Sequence, residues 1–128
     1  MIEKGIKGEI KRKVTSEMTA KQIGSGELEV LATPMLISIA EECAWKSIAQ
    51  DLDTGKGSVG TKIELSHIAA SPIGAEIRCE TELIEVDRRR LVFSVEAYDD
   101  IDKIAEGRHE RFIVDNESFE MKAKAKLK

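Results

Sequence analysis

Cysteine and histidine are scarce: each occurs only twice among the 128 residues. Two thiols build neither a disulfide framework nor a zinc site. Cys43 and Cys79 fall in apolar-patterned stretches, where cysteine behaves as a small buried hydrophobe. The histidines, His67 and His109, cluster neither with cysteines nor with carboxylates, so no metal is expected. No apolar run approaches the roughly 18 residues that span a bilayer, and a membrane segment is not expected. The opening residues, MIEKGIKGEIKRK, lack the apolar stretch of a secretory signal, and the expected location is cytoplasmic. No repeat, low-complexity tract or Pro/Gly/Ser-rich linker divides the chain, which reads as one domain over residues 1–128. A net charge of −4 argues against a dedicated nucleic-acid binder. What is present, 41% hydrophobic and 34% charged residues, is the composition of an ordinary folded domain.

The stretch GKGSVG, residues 55–60, matches the G-x-G-x-x-G spelling of a dinucleotide-binding loop. That loop has to follow a strand and open a helix, so that the helix N-terminus meets the pyrophosphate. Here the order is reversed, because a helix precedes the glycines and a strand follows them. No nicotinamide or flavin cofactor is expected. The glycines read instead as a helix stop, with Gly60 letting another backbone or a ligand come close.

The preceding helix is TPMLISIAEECAWKSIAQDL, residues 33–52. Thr33 suits the N-cap and Pro34 the first helical position, where a missing N–H costs nothing. Apolar residues cover more than half its circumference, which predicts a helix enclosed by other elements. Nearly everything else alternates with period two. In SVGTKIELSHIAA the inward face is read as Val59, Thr61, Ile63, Leu65, His67 and Ala69. In GAEIRCETEL it is Ala75, Ile77, Cys79, Thr81 and Leu83. A slip at Ile84–Val86 predicts a bulge. VDRRR and DDIDK make hairpins into LVFSVEAYD and IAEGRHERFIV, and KGEIKRKVT is a further strand. The lysine-rich end, MKAKAKLK, reads as a solvated tail or a terminal edge strand. The expected class is α+β, with an antiparallel sheet curled around one long helix.

Several polar residues occupy positions where the pattern calls for apolar ones. Glu41 lies two turns after Pro34, in line with the buried stripe of the helix. His67 follows Ile63 and Leu65 on the inward face of its strand. His109 and Arg111 share the parity of Ala105 and Ile113. Inward charges need partners or a cleft. Glu41 and His67 each fit a structural role as well as a functional one, and Arg111 fits a structural ion pair. An acid, a base and a cation facing inward suit general acid–base chemistry. The spellings of a nucleophile elbow, a P-loop, H-E-x-x-H and an EF-hand are absent.

Four blocks, LEVLATPMLISIAEECA, GSVGTKIELSHIAASPIGAEI, RRRLVFSVEAYD and EGRHERFIV, resemble the hotdog-fold thioesterases related to fluoroacetyl-CoA thioesterase. The resemblance runs from about Thr15 to Phe119. It implies a catalytic Thr33, Glu41 and His67, a close-approach Gly60 and a substrate-contacting Arg111. It implies hydrolysis of an acyl-CoA thioester with no cofactor, in at least a homodimer with sites at the interface. In that chemistry His67 serves as general base or as proton donor to the thiolate. Glu41 attacks the carbonyl or positions water, Thr33 orients, and the Gly60 N–H helps hold the oxyanion. The fluoroacetyl-specific enzyme has phenylalanines in the lid before its threonine. The corresponding SEMTAKQIGSGELEV has no aromatic, so a general short acyl-CoA is the expected substrate. Two other readings remain. One is a hotdog module that binds acyl-CoA or another small apolar acid without turnover. The other is a hotdog enoyl-CoA hydratase, whose D-x-x-x-x-H spelling neither histidine satisfies. Arg88–Arg90 fit either coenzyme A phosphates or a solvated hairpin.

Overall fold

The structure, a computed structural model, describes residues 2–127. Strand β1 (Lys7–Lys13) leads through a 3-10 turn (Ser16–Met18) and a one-turn helix α1 (Ala20–Ile23) into helix α2 (Thr33–Ile48). A 3-10 turn at Ala49–Asp51 ends α2, and β2 (Lys56–His67), β3 (Glu76–Asp87), β4 (Arg90–Tyr98) and β5 (Lys103–Asp115) follow. The chain closes with helix α3 (Asn116–Lys124). The five strands form one antiparallel sheet in the order β1-β3-β4-β5-β2, so β2 is an edge although it is second in sequence.

Period-3.6 spacing decides how α2 sits. Leu36, Ile39, Ala40, Cys43, Ala44 and Ile48 recur at helical intervals and are buried. They meet two groups of sheet residues. Leu36, Ile39, Ala40 and Cys43 join Ile77, Cys79, Val95, Ala97, Ile104 and Ala105. Ala44 and Ile48 join Leu83, Leu91 and Phe93. Burying each of these large side chains contributes on the order of 1.5–3 kcal/mol. The helix lies chiefly over β1 and β3 and much less over β2. One apolar stripe of α2 is therefore left partly open on the β2 side, where Trp45 remains 43% exposed. The α+β sheet-around-helix architecture is the expected one, with the enclosure incomplete along that edge.

The bulge expected near Ile84 is present, as a register shift between Leu83 and Glu85. A second, unexpected shift lies between Gly60 and Lys62 in β2. It corrects the reading of Val59 and Thr61 as inward residues. Thr61 takes the extra position, so the inner face runs Ser58 and Gly60 before the bulge and Ile63, Leu65 and His67 after it. The C-terminal reading is corrected too. Residues 116–124 are helical, neither tail nor edge strand. Acidic Glu117 in the first turn and Lys122 and Lys124 in the last complement the helix dipole. Lys128, the last residue of the stretch read as a tail, lies outside the described residues.

Candidate active site

Thr33 is the first residue of α2 and not its cap; Ala32 takes the cap position without a side-chain hydrogen bond. The Thr33 hydroxyl is therefore free of capping duty. Its Oγ1 lies 2.8 Å from Nδ1 of His67, the last residue of β2. A small, open cavity of about 330 Å³ adjoins this pair, walled by Ala20, Val30, Leu31, Ile68 and Ala69. His67 Nε2 is buried and has no hydrogen-bond partner among the described residues. Burial pulls the imidazole below its ordinary range, against an opposing upward pull from the backbone at Ala69. A neutral ring with a free nitrogen aimed into the protein can take up a proton.

The other end of β2 gathers Glu41, Gly60 and Arg111. Arg111 is 6% exposed, and its Nη1 stands 3.7 Å from Glu41 Oε2. Its Nε donates to Ser58 Oγ at 2.8 Å and its Nη2 to the Ser58 carbonyl at 2.9 Å. Nη1 also donates to His109 Nε2 at 3.0 Å. Burial lowers the affinity of the guanidinium for its proton, and the nearby Glu41 opposes that. Glu41 itself is half-buried, on the open stripe of α2. A side chain at Gly60 would collide with Glu41 Oε2 and press within 3.1 Å of His109 Cε1. Gly60 is thus a close-approach point, but what approaches is the Glu41 carboxylate and not the backbone or ligand expected from sequence. Glu42 faces away and is occupied, with Lys46 Nζ and Arg12 Nη2 each 2.6 Å from its Oε2. Those cations, Lys46 foremost, hold its carboxyl below the usual carboxylate range.

With this geometry in place, known proteins become comparable. Residues 14–117 match the family described as fluoroacetyl-CoA-specific thioesterase. The chain belongs to that family. The fluoroacetyl-CoA thioesterase of Streptantibioticus cattleyicolor is 38% identical over 98 residues, which cover 77% of this chain and 70% of that protein. A threonine-to-serine mutant of the fluoroacetyl-CoA enzyme, solved in complex with acetyl-CoA, superposes with a TM-score of 0.95. It is 29% identical and the match covers 99% of this chain and 100% of that one. A thioesterase superfamily member from Thermus thermophilus gives a TM-score of 0.90 at 27% identity, covering 98% of this chain and 93% of that one. The hotdog thioesterase fold expected from the four sequence blocks is the one observed.

Of the five residues singled out within this thioesterase family frame, the structure brings together Thr33 with His67, and Glu41 with Gly60 and Arg111. It does not bring the two groups to one point. Ser58, whose hydroxyl and carbonyl both hold Arg111, does not stand out in the sequence, because unbroken alternation places it outward and only the bulge turns it inward. Arg90 is engaged by Glu110 and Glu85, while Arg88 is solvent-exposed. Among the described residues no group of three His, Cys, Asp or Glu side chains is arranged to hold a metal ion. No helix among them is long and apolar enough to cross a membrane.

Proposed function

We propose that the protein hydrolyses a short acyl-CoA thioester to the free acid and coenzyme A, with Thr33, Glu41 and His67 catalytic and Gly60 and Arg111 holding substrate. The observation that carries the reading is a carboxylate from α2 packed on Gly60 of the edge strand β2, with an imidazole on the same inner face at that strand's end. Along α2 the Cα atoms of Thr33 and Glu41 stand about 12 Å apart, and along β2 those of Gly60 and His67 about 20 Å apart. One chain cannot close both groups on a single carbonyl. Two chains can.

An antiparallel pairing of β2 with β2 of a second copy, about a two-fold through Glu64, sets Leu65 opposite Ile63 of that copy. The bulge at Thr61 then drops one residue from the count and sets His67 opposite Gly60 of that copy. Each site is in this way a composite: Thr33 and His67 from one protomer, Glu41, Gly60 and Arg111 from the other. The half-open stripe along Ile37, Glu41 and Trp45 is covered in the same step. A homodimer follows from completing the site, and β2 ceases to be an exposed edge.

In such a site Thr33 Oγ1 accepts from His67 Nδ1–H and leaves Nε2 as the base. Glu41 brings its carboxylate to the thioester carbonyl, the Gly60 N–H steadies the developing oxyanion, and Arg111 balances the added negative charge. The C–O bond to water oxygen forms and the C–S bond breaks. The proton taken by the imidazole leaves with the coenzyme A thiolate. The cavity beside Thr33 has small aliphatic walls, and residues 15–30 contain no aromatic. A short unsubstituted acyl group suits these walls. Two free, buried cysteines accord with a reducing, cytoplasmic setting.

The decisive experiment mixes two inactive variants. Glu41→Ala and His67→Ala homodimers are each unfolded, combined one to one and refolded, and thiol release from a panel of acyl-CoAs is followed. The composite site predicts recovery of about a quarter of wild-type activity, since half the dimers are mixed and each holds one intact site. No recovery would overturn the shared site. Binding of acyl-CoA without thiol release by the wild type would overturn hydrolysis itself.

A further inference from the structure

We infer that His109 is a positioning residue, holding Arg111 so that its guanidinium faces Glu41 without closing onto it. The inference rests on the hydrolytic reading of Glu41 and adds to it a part for the one inward histidine that reading leaves idle.

The hydrogen bonds of His109 settle its state. Nδ1 lies 2.9 Å from the Lys62 carbonyl oxygen, which can only accept, so Nδ1 carries the proton. Nε2 lies 3.0 Å from Arg111 Nη1, which can only donate, so Nε2 presents its lone pair. The ring is therefore neutral, in one tautomer. It is buried, with Phe93 stacked on it across the strand pair at 6.3 Å between ring centres and Ile63 opposite it in β2. The charged groups near it are Arg111 on the same face of its strand, Glu41 from α2, and Glu110 beside it on the opposite face. Burial first, and Arg111 after it, hold its pKa below the ordinary value, in keeping with that tautomer.

The consequence falls on Arg111. Ser58 fixes Nε and Nη2 through its hydroxyl and carbonyl, and His109 takes one hydrogen of Nη1. Two hydrogens remain, one on Nη1 and one on Nη2; the one on Nη1 is left for Glu41, and the pair stands at 3.7 Å. A closed charge-assisted bond between guanidinium and carboxylate measures about 2.8 Å. His109 thus keeps the ion pair about 1 Å open, and the Glu41 oxygens retain lone pairs for the substrate. Without His109 the guanidinium swings toward Glu41, the pair closes and the carboxylate is tied up. Lys62 follows the β2 bulge directly, so the bulge that brings Gly60 to Glu41 also supplies the carbonyl that sets the tautomer.

The test compares His109→Leu, His109→Gln, Arg111→Ala and the double variant His109→Leu/Arg111→Ala, using the acyl-CoA that the wild type cleaves fastest. A displacement of about 1 Å at a reacting group predicts a fall in kcat approaching 10²-fold for His109→Leu. KM should stay within about threefold, since Ser58 still holds Arg111 through Nε and Nη2 beside the substrate. Gln restores an acceptor to Arg111 and should recover most of kcat. The double variant should be no slower than Arg111→Ala alone, because His109 acts through Arg111. Equal losses in Leu and Gln, or losses that multiply in the double variant, would overturn the inference. Nitrogen NMR gives an arm independent of turnover. The wild-type ring should show a protonated Nδ1 and a bare Nε2, and the slowed Arg111 guanidinium protons should be released in His109→Leu. A wild type that releases no thiol overturns the hydrolytic reading, whereas a ring in the opposite tautomer overturns the hold on Arg111.

Discussion

At the His67 end of β2 a single hydrogen bond to Thr33 orients an imidazole beside an exposed helix start, with a shallow cavity next to it. At the Gly60 end Ser58, His109 and the Lys62 carbonyl lock Arg111 and its neighbours behind Glu41. The two ends of one strand thus differ in how firmly they are built. A buried charge needs every donor satisfied, which explains the dense network around Arg111. The proton transfer proposed for His67 needs an uncommitted ring nitrogen, which the sparse end leaves at Nε2. The firm end holds charge in place, and on the proposed reading the loose end lets protons move.

Removing the charge at the firm end should have the largest effect. Glu41→Gln keeps the shape and is expected to lower kcat roughly 10³-fold, with coenzyme A binding retained by calorimetry. If kcat stays within tenfold of wild type, Glu41 is a structural partner of Arg111 and the comparison collapses. Single turnover in ¹⁸O-labelled water sharpens its role. Label appearing in the Glu41 peptide by mass spectrometry marks attack by the carboxylate, because direct attack by water puts the label in the acid product alone.

Gly60→Ala should come next. The new methyl meets the Glu41 carboxylate, the mobile end of a side chain, so folding is expected to tolerate it while the site does not. The expected result is a melting temperature within a few degrees of wild type beside a loss of about 10²-fold in kcat/KM. A large fall in melting temperature with normal residual kcat would instead mark Gly60 as a backbone requirement. At the loose end the effect is smaller. Thr33→Val removes the hydroxyl that orients His67, and about tenfold in kcat should go with it. Thr33→Ser should lose almost nothing, and a Ser variant as slow as Val would show that the methyl, not the hydroxyl, matters.

The same contrast explains what could be read from the amino acids. The core stripe Leu36–Ile48, the alternation of β3 up to Leu83 and the inward turn of His67, His109 and Arg111 follow from periodicity, because each lies in a stretch that no bulge interrupts. The β2 bulge broke that logic. Val59 is apolar and in phase with Ile63, so a continuous strand was the economical reading. The extra residue at Thr61 instead turned Ser58 and Gly60 inward. The dense network could therefore be glimpsed only through Arg111 and His109. The C-terminal helix departs from expectation for another reason. Lys–Ala alternation in MKAKAK imitates a strand, yet Glu, Met, Ala and Lys are strong helix formers and the charges run with the helix dipole. That signal was present and outweighed. The division of the site between two ends of an edge strand had no local signature, because it depends on which strands become neighbours.

The smallest effect concerns acidity, and it acts on both ends at once. Burial holds His67 and His109 below their ordinary value, so both are neutral in the folded protein at pH values where the unfolded chain already protonates them. Above about pH 6.5 both states are neutral and folding carries no penalty from either ring. As pH falls below that, the unfolded state binds more protons than the folded one and stability declines, until the folded rings titrate at their depressed values. Glu42 and Glu110, whose carboxyls their cationic partners hold low, stay ionised through this window and do not mask it. Urea unfolding midpoints should accordingly drop between pH 7.5 and pH 5.5 by an amount that shrinks in His67→Gln and again in His67→Gln/His109→Gln. The hydrolysis rate should show an acid limb centred below 6.5 that belongs to the loose end, where His67 must be neutral to take a proton. A limb that His109→Gln shifts as strongly as a change at Thr33 would mean that the two ends titrate as one unit, and the division between holding charge and moving protons would have to be redrawn.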